Sequence, residues 1–130
     1  MSSASSAGHS EDVLLPCPAS PNCVSSLATD PRHAIEPFTF ETPPDLAWER
    51  LKTVLGSEKR VTIPDEKGGY LRAEFRSLVF RFVDDVEFVL VPDQRLIHVR
   101  SASRTGHSDF GVNRKRIERL RARFSAPAAK

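Results

Sequence analysis

The chain has 130 residues, 39% hydrophobic and 28% charged, which fits one globular domain and excludes an intrinsically disordered chain. With 19 Lys and Arg against 17 Asp and Glu the net charge is only +2, which excludes a globally basic nucleic-acid binder and an acidic-tail protein. No apolar run approaches the roughly 18 residues of a membrane-spanning helix, and the N-terminal stretch MSSASSAGHSEDVLL lacks the basic and long apolar regions of a secretory signal, so a cytoplasmic location is the default expectation.

Residues 1–12 are Ser/Ala/Gly-rich without apolar periodicity and read as a disordered tail. Residues 13–37 form an arm with Pro16, Pro18, Pro21 and Pro31, each of which removes a backbone donor and fixes φ, so no regular element is expected there. The α+β domain spans 38–124, and 125–130 reads as a second disordered tail. Within the domain, Phe38-Thr39-Phe40 is a short strand. Thr42 is a candidate N-cap for a helix with Pro43 at its first position and Asp45 completing a capping box. Ala47, Leu51, Val54 and Leu55 recur at helical spacing, and Gly56 marks the stop.

The period then changes to two. Arg60–Pro64 is a strand, Lys67-Gly68-Gly69 a turn, and Tyr70–Arg76 alternates with Leu71, Ala73 and Phe75 on one face and Arg72, Glu74 and Arg76 on the other. Ser77–Val83 is apolar-dense and reads as a strand or a bulged connection. Asp84–Val91 and Leu96–Arg104 form a hairpin around Pro92–Arg95. Pairing Val91 with Leu96 sets Phe88 opposite Val99 on the core face and Glu87 opposite Arg100 on the other, and a one-residue slip would put polar groups into the core. The last element is a helix over Val112–Phe124, with Asn113, Ile117, Leu120 and Phe124 on one stripe and a cationic remainder. The prediction is an α+β sandwich of order β-α-β-β-β-β-α, an antiparallel sheet of four to five strands with two helices packed on one face.

Several groups of residues carry chemistry. Cys17 and Cys23, five residues apart, could form a local disulfide, remain inert thiols, act in thiol-redox chemistry, or supply half a metal site with His9 and His33. The spacing is not that of a structural zinc knuckle, and no metal or other cofactor is expected. Asp84, Asp85 and Glu87 form an acidic cluster. Glu87 has a cross-strand partner in Arg100, while Asp84 shares the parity of the core and needs donors, from Ser101, Asn113 or a basic side chain of the last helix.

The densest polar constellation is Arg100, Ser101, Ser103, Arg104, Ser108, Asp109, Asn113 and Arg114: a strand end, a glycine-containing loop and a helix start. Backbone N–H groups of a helix N-terminus with Arg100, Arg104 and Arg114 have the ingredients of an anion site. The competing reading has Ser108 or Asp109 capping the helix and consuming the same groups. His107 beside Ser108 and Asp109 is not read as a triad, because adjacent residues rarely reach nucleophile–base–orienter geometry. The cationic final helix has no stacking aromatics beside it, which argues against nucleic acid, and charge near a helix C-terminus is also favoured by the dipole, which argues against a membrane surface.

Four stretches together resemble the DUF1499 family, a domain of unknown function: Cys17–Ser26, Phe82–Phe88, Val99–Arg104 and Gly106–Ile117. The resemblance spans about Cys17 to Phe124 and implies relatives without an activity to carry over. The leading functional expectation is a non-enzymatic binding module for an anionic small molecule or an acidic partner segment. The alternatives are an enzyme using Asp84, Asp85 or Glu87 with His107, and a thiol-redox role for Cys17 and Cys23. The environment of Asp84 discriminates: a carboxylate without a partner in a concave pocket favours the enzyme, and one sealed by hydrogen bonds favours binding or structure.

Overall fold

In a computed structural model, which describes residues 14–78, 82–105 and 111–126, the elements run β1 (Cys23–Ser25), β2 (Phe38–Thr39), α1 (Pro44–Gly56), β3 (Val61–Lys67), β4 (Tyr70–Arg76), β5 (Val83–Val91), β6 (Leu96–Ser103) and α2 (Val112–Ser125). From β2 onward this is the expected order. The strands form one six-stranded sheet, β1-β6-β5-β4-β3, with β2 also on β6, and every pairing is antiparallel. The tail expected over 1–12 and most of the one over 125–130 lie outside the described residues, and Ser125 still belongs to α2.

The arm departs from expectation by supplying β1. Between Pro21 and Pro31 lies a proline-free window, and Cys23–Ser25 within it pairs with Arg100–Ala102. Nothing in a proline-rich segment forbids a short strand where backbone donors are intact, and the edge of β6 offers unpaired groups. The arm then turns back through Ser25 N–H to His33 O (2.8 Å) and Ile35 N–H to Ser25 O (3.2 Å). The cationic face of α2 straps it down. Arg114 donates to the carbonyls of Ala34 and Arg32, and Arg121 to those of Pro37 and Glu36. Arg119 and Arg123 reach Glu58 just beyond α1, and the Glu58 carboxyl, though raised by burial, is held below its usual range by these two guanidiniums.

α1 begins one residue later than expected. Pro43 occupies the N-cap position in an extended conformation (ψ 144°) without a side-chain cap, and Thr42 is not the cap. The cause is the second proline: a residue preceding proline is driven out of the α region, so Pro43 cannot be helical and Pro44 becomes the first helical residue. At the other end Ser57 closes the helix, its hydroxyl donating to Val54 O (2.7 Å).

The β5–β6 register is the predicted one, Phe88 opposite Val99 and Glu87 opposite Arg100. β3 continues past Pro64 to Lys67, with a register shift between Thr62 and Asp65 that absorbs the proline's missing donor. Gly68 and Gly69 turn the chain into β4 at φ 57° and 88°, the left-handed values a two-residue hairpin needs. Between β4 and β5, Ser77 N–H donates to Phe82 O (2.9 Å), and residues 79–81 of the apolar-dense stretch lie outside the described residues. Both helices cover one sheet face. Leu71, Ala73, Phe75, Val86, Phe88, Ile97 and Val99 meet the buried stripes of α1 and α2 there, with the fully buried Phe38 ring between those of Phe88 (6.0 Å) and Phe124 (5.4 Å).

Candidate functional site

The covered face carries a polar cluster at the end of β5 and β6 beneath the start of α2. Asp84 lies there because it shares parity with Val86 and Phe88. Its carboxylate pairs with Arg116 of α2 at 2.8 Å, both side chains only 11% exposed. The Arg116 guanidinium also donates to Asn113 Oδ1 (2.9 Å) and Ser101 Oγ (3.4 Å) and lies 4.9 Å from the Phe75 ring centre. The Ser101 hydroxyl donates to Asn113 Oδ1, while Asn113 Nδ2 donates to Asn22 O (3.1 Å) and Ser103 Oγ (3.0 Å). Asn22 in turn donates to Thr105 O and accepts from Ser20 Oγ (2.6 Å). Arm, sheet and final helix thus meet on one buried network, and Asp84 is sealed by an ion pair.

The open face, one residue out of phase, is a lattice of exposed and half-buried ion pairs. Arg72 donates to Asp65, Glu74 and Asp85 at 2.8–2.9 Å. Arg104 grips both Asp85 oxygens and Glu74 at 2.8–2.9 Å. The Arg104 hydrogen bond and charge hold the Asp85 carboxyl below its usual range against the opposing effect of burial, with Arg72 adding to it. Glu74 is held low by Arg72 and Arg104. Beside this lattice, Tyr70 donates to Glu87 (2.8 Å), and burial together with that carboxylate pushes the phenol above its ordinary value. Arg100 makes the predicted contact with Glu87, but at 3.5 Å, and its other terminal nitrogen donates to Pro16 O (3.3 Å). Arg100 Nε is buried and has no hydrogen-bond partner among the described residues.

Where the arm crosses the end of β6 a cavity of about 270 Å³ opens. Pro18, Ser20 and Asn22 form the arm side, and Arg100, Ser103, Arg104 and Asp85 line the opposite side. The disulfide Cys17–Cys23 closes the loop that makes the arm side. His33, at the arm's return, bonds Asp30 through Nδ1 (2.6 Å) and Ser20 O through Nε2 (2.8 Å). The four-ligand arrangement considered from the sequence is therefore not assembled: both sulfurs are in the disulfide, both His33 nitrogens have partners, and His9 lies outside the described residues.

The predicted anion constellation is divided by the sheet. Arg100, Ser103 and Arg104 reach the cavity, Ser101 and Asn113 are buried on the helix side, and Arg114 is directed at arm carbonyls. Ser108, Asp109 and His107 lie outside the described residues. The N-cap position of α2 is Gly111 at φ 80°. Of the acidic cluster, Asp84 faces Arg116, Asp85 faces Arg72 and Arg104, and Glu87 faces Tyr70 and Arg100. Sequence reasoning passed over Asn22 and reached Arg116 only as an unspecified basic side chain of the last helix. Arg116 was visible three residues after Asn113, on the same helix face. Asn22 bonds through its backbone carbonyl and its amide, for which the arm's sequence holds no periodic signal.

A family model described as "Protein of unknown function (DUF1499)" matches residues 13–124, so the chain belongs to that family. No curated protein and no solved structure matches it. Among the described residues no helix is long and apolar enough to cross a membrane.

Proposed function

We propose that this member of the DUF1499 family is a non-enzymatic binding module that takes a carboxylate-bearing small molecule in the cavity between the arm and β6. The observation that carries the reading is Arg100: its Nε is buried without a partner among the described residues, and the residue lines the cavity. A buried donor left unmade costs about 1–3 kcal/mol, which an incoming acceptor recovers. The charge around the cavity favours a small, singly charged group over a multivalent one. Arg104 is already engaged by Asp85 and Glu74, whereas Arg100 holds Glu87 only at 3.5 Å. The size agrees, because about 270 Å³ lies just under the roughly 300–1,000 Å³ of drug-sized ligand pockets. The sealing of Asp84 by Arg116 and the lowered Asp85, a poor proton acceptor near neutrality, weigh against acid–base catalysis by the acidic cluster.

The test compares melting temperatures in acetate, phosphate and chloride at equal ionic strength. Wild type gains more in acetate than in chloride, approaching about 2.7 kcal/mol of stabilisation at 100 times the dissociation constant. Arg100→Gln loses that excess and keeps the general salt effect. If wild type and Arg100→Gln respond alike to all three salts, the reading is wrong. If phosphate exceeds acetate, the preference for a singly charged ligand is wrong.

A further inference from the structure

We propose that Cys17 is a site of thiol–disulfide exchange and that the state of the Cys17–Cys23 bond gates the cavity on β6. The gating rests on the ligand reading above. The bond closes the loop that supplies Pro18, Ser20 and Asn22 to the cavity. The two ends of that loop are anchored very differently. At its C-terminal end Asn22 O accepts from Ser103 N–H (3.0 Å) and from Asn113, and Cys23 pairs with Ala102 within β1. Those bonds do not depend on the disulfide. At its N-terminal end the attachments among the described residues are the disulfide, the 3.3 Å bond from Arg100 to Pro16 O, the hold of His33 on Ser20 O, and the buried Leu14 just before the loop. Breaking the S–S bond leaves the loop joined to the sheet at Asn22 and held elsewhere only by the His33–Ser20 bond, the long Arg100–Pro16 bond and the packing of Leu14, so that its Cys17 side can shift against the cavity.

The two sulfurs also differ in access. Cys23 is 1% exposed, whereas Cys17 is half-buried and lines a second cavity, of about 410 Å³, with Leu14, Pro16 and Leu27. An incoming thiolate therefore attacks the Cys17 sulfur. A bond forms between that sulfur and the attacking sulfur of an external dithiol, the Cys17–Cys23 bond breaks, and its electron pair leaves on Cys23. The second thiol of the reductant then displaces Cys17 from the mixed disulfide. The dithiol is oxidised to its disulfide, the protein gains two electrons, and the two protons of the dithiol end on Cys17 and Cys23. By reciprocity a ligand that binds the oxidised form more tightly protects the bond by the same factor.

The experiment has two arms on the full chain. In the first, oxidised protein is treated with excess glutathione, quenched by alkylation and mapped by peptide mass spectrometry. The mixed disulfide is expected on Cys17, and an adduct mainly on Cys23, or none, overturns the exchange site. In the second, acetate affinity is titrated before and after reduction with dithiothreitol, with amide exchange of β5 and β6 followed in parallel. Reduction is expected to weaken binding by about fivefold or more while β5 and β6 stay protected. Equal affinity in the two states overturns the gate and leaves the ligand reading intact. Absence of acetate binding to the oxidised protein overturns the ligand reading and the gate with it. Loss of β5–β6 protection on reduction makes the bond a staple for the whole fold and overturns the gate.

Discussion

Asp84 and Asp85 are neighbours in the chain and lie on opposite sides of the sheet. Asp84 lies under α2 against the Arg116 guanidinium, at 2.8 Å and 11% exposure on both sides. Asp85 lies on the open face between Arg72 and Arg104, the latter 45% exposed. The contacts are equally short, yet the energetics differ. On the covered face both charges have little access to water, so losing Arg116 leaves the Asp84 carboxylate poorly compensated. On the open face water and neighbouring charges replace a lost partner, and each pair is worth little. The number of short ion pairs thus says less about stability than which face they occupy.

The comparison can be broken by mutation. Arg116→Ala strands Asp84 in the core and should cost about 3–5 kcal/mol in denaturant titration. Restoring neutrality with Asp84→Asn in the same chain should recover part of it, and a loss below about 1 kcal/mol for Arg116→Ala would show that Asp84 is solvated after all. Asn113→Ala should cost less, about 1–3 kcal/mol, by leaving the buried Ser101 hydroxyl and Asn22 carbonyl short of partners. A neutral result there would mean that the network between arm and helix is not what fixes the arm.

Arg104→Ala should cost under about 1 kcal/mol and lose even that in high salt. Its clearer signature is in acid. Asp85 and Glu74 have folded-state pKa values below their ordinary 3.8 and 4.5. Their stabilisation is therefore fully present above those ordinary values and disappears as pH falls through the lower folded ones. Removing Arg104 should flatten stability below about pH 4.5, and an unchanged acid limb in thermal melts would show that the open-face lattice is idle.

Periodicity made much of this legible. The alternation of Phe88, Leu90, Ile97 and Val99 against Glu87 and Arg100 leaves one β5–β6 register with an apolar face, and that register is the one found. The Asn113, Ile117, Leu120, Phe124 stripe likewise admits one buried side for α2, and the need of Asp84 for donors followed from its parity, with a basic side chain of the last helix among the sources it allowed. Local rules failed where two of them competed, as at Pro43, where the restraint from Pro44 overrides a good capping residue at Thr42.

What the residues determined by themselves was therefore the set of elements and which face of each is apolar, because a side chain's direction repeats every 2 or 3.6 residues whatever surrounds it. Tertiary structure decided the rest. That Cys23–Ser25 becomes a strand depends on the unpaired edge of β6 some 75 residues away. The arginines of α2 look like a solvated run in sequence, and only folding brings arm carbonyls, Glu58 and Asp84 within their reach. The predicted anion residues were close along the chain, but a sheet sends alternate side chains to opposite sides, so Arg100 and Arg104 reached the cavity while Ser101 went into the core, where it meets Asn113 on the buried stripe of α2.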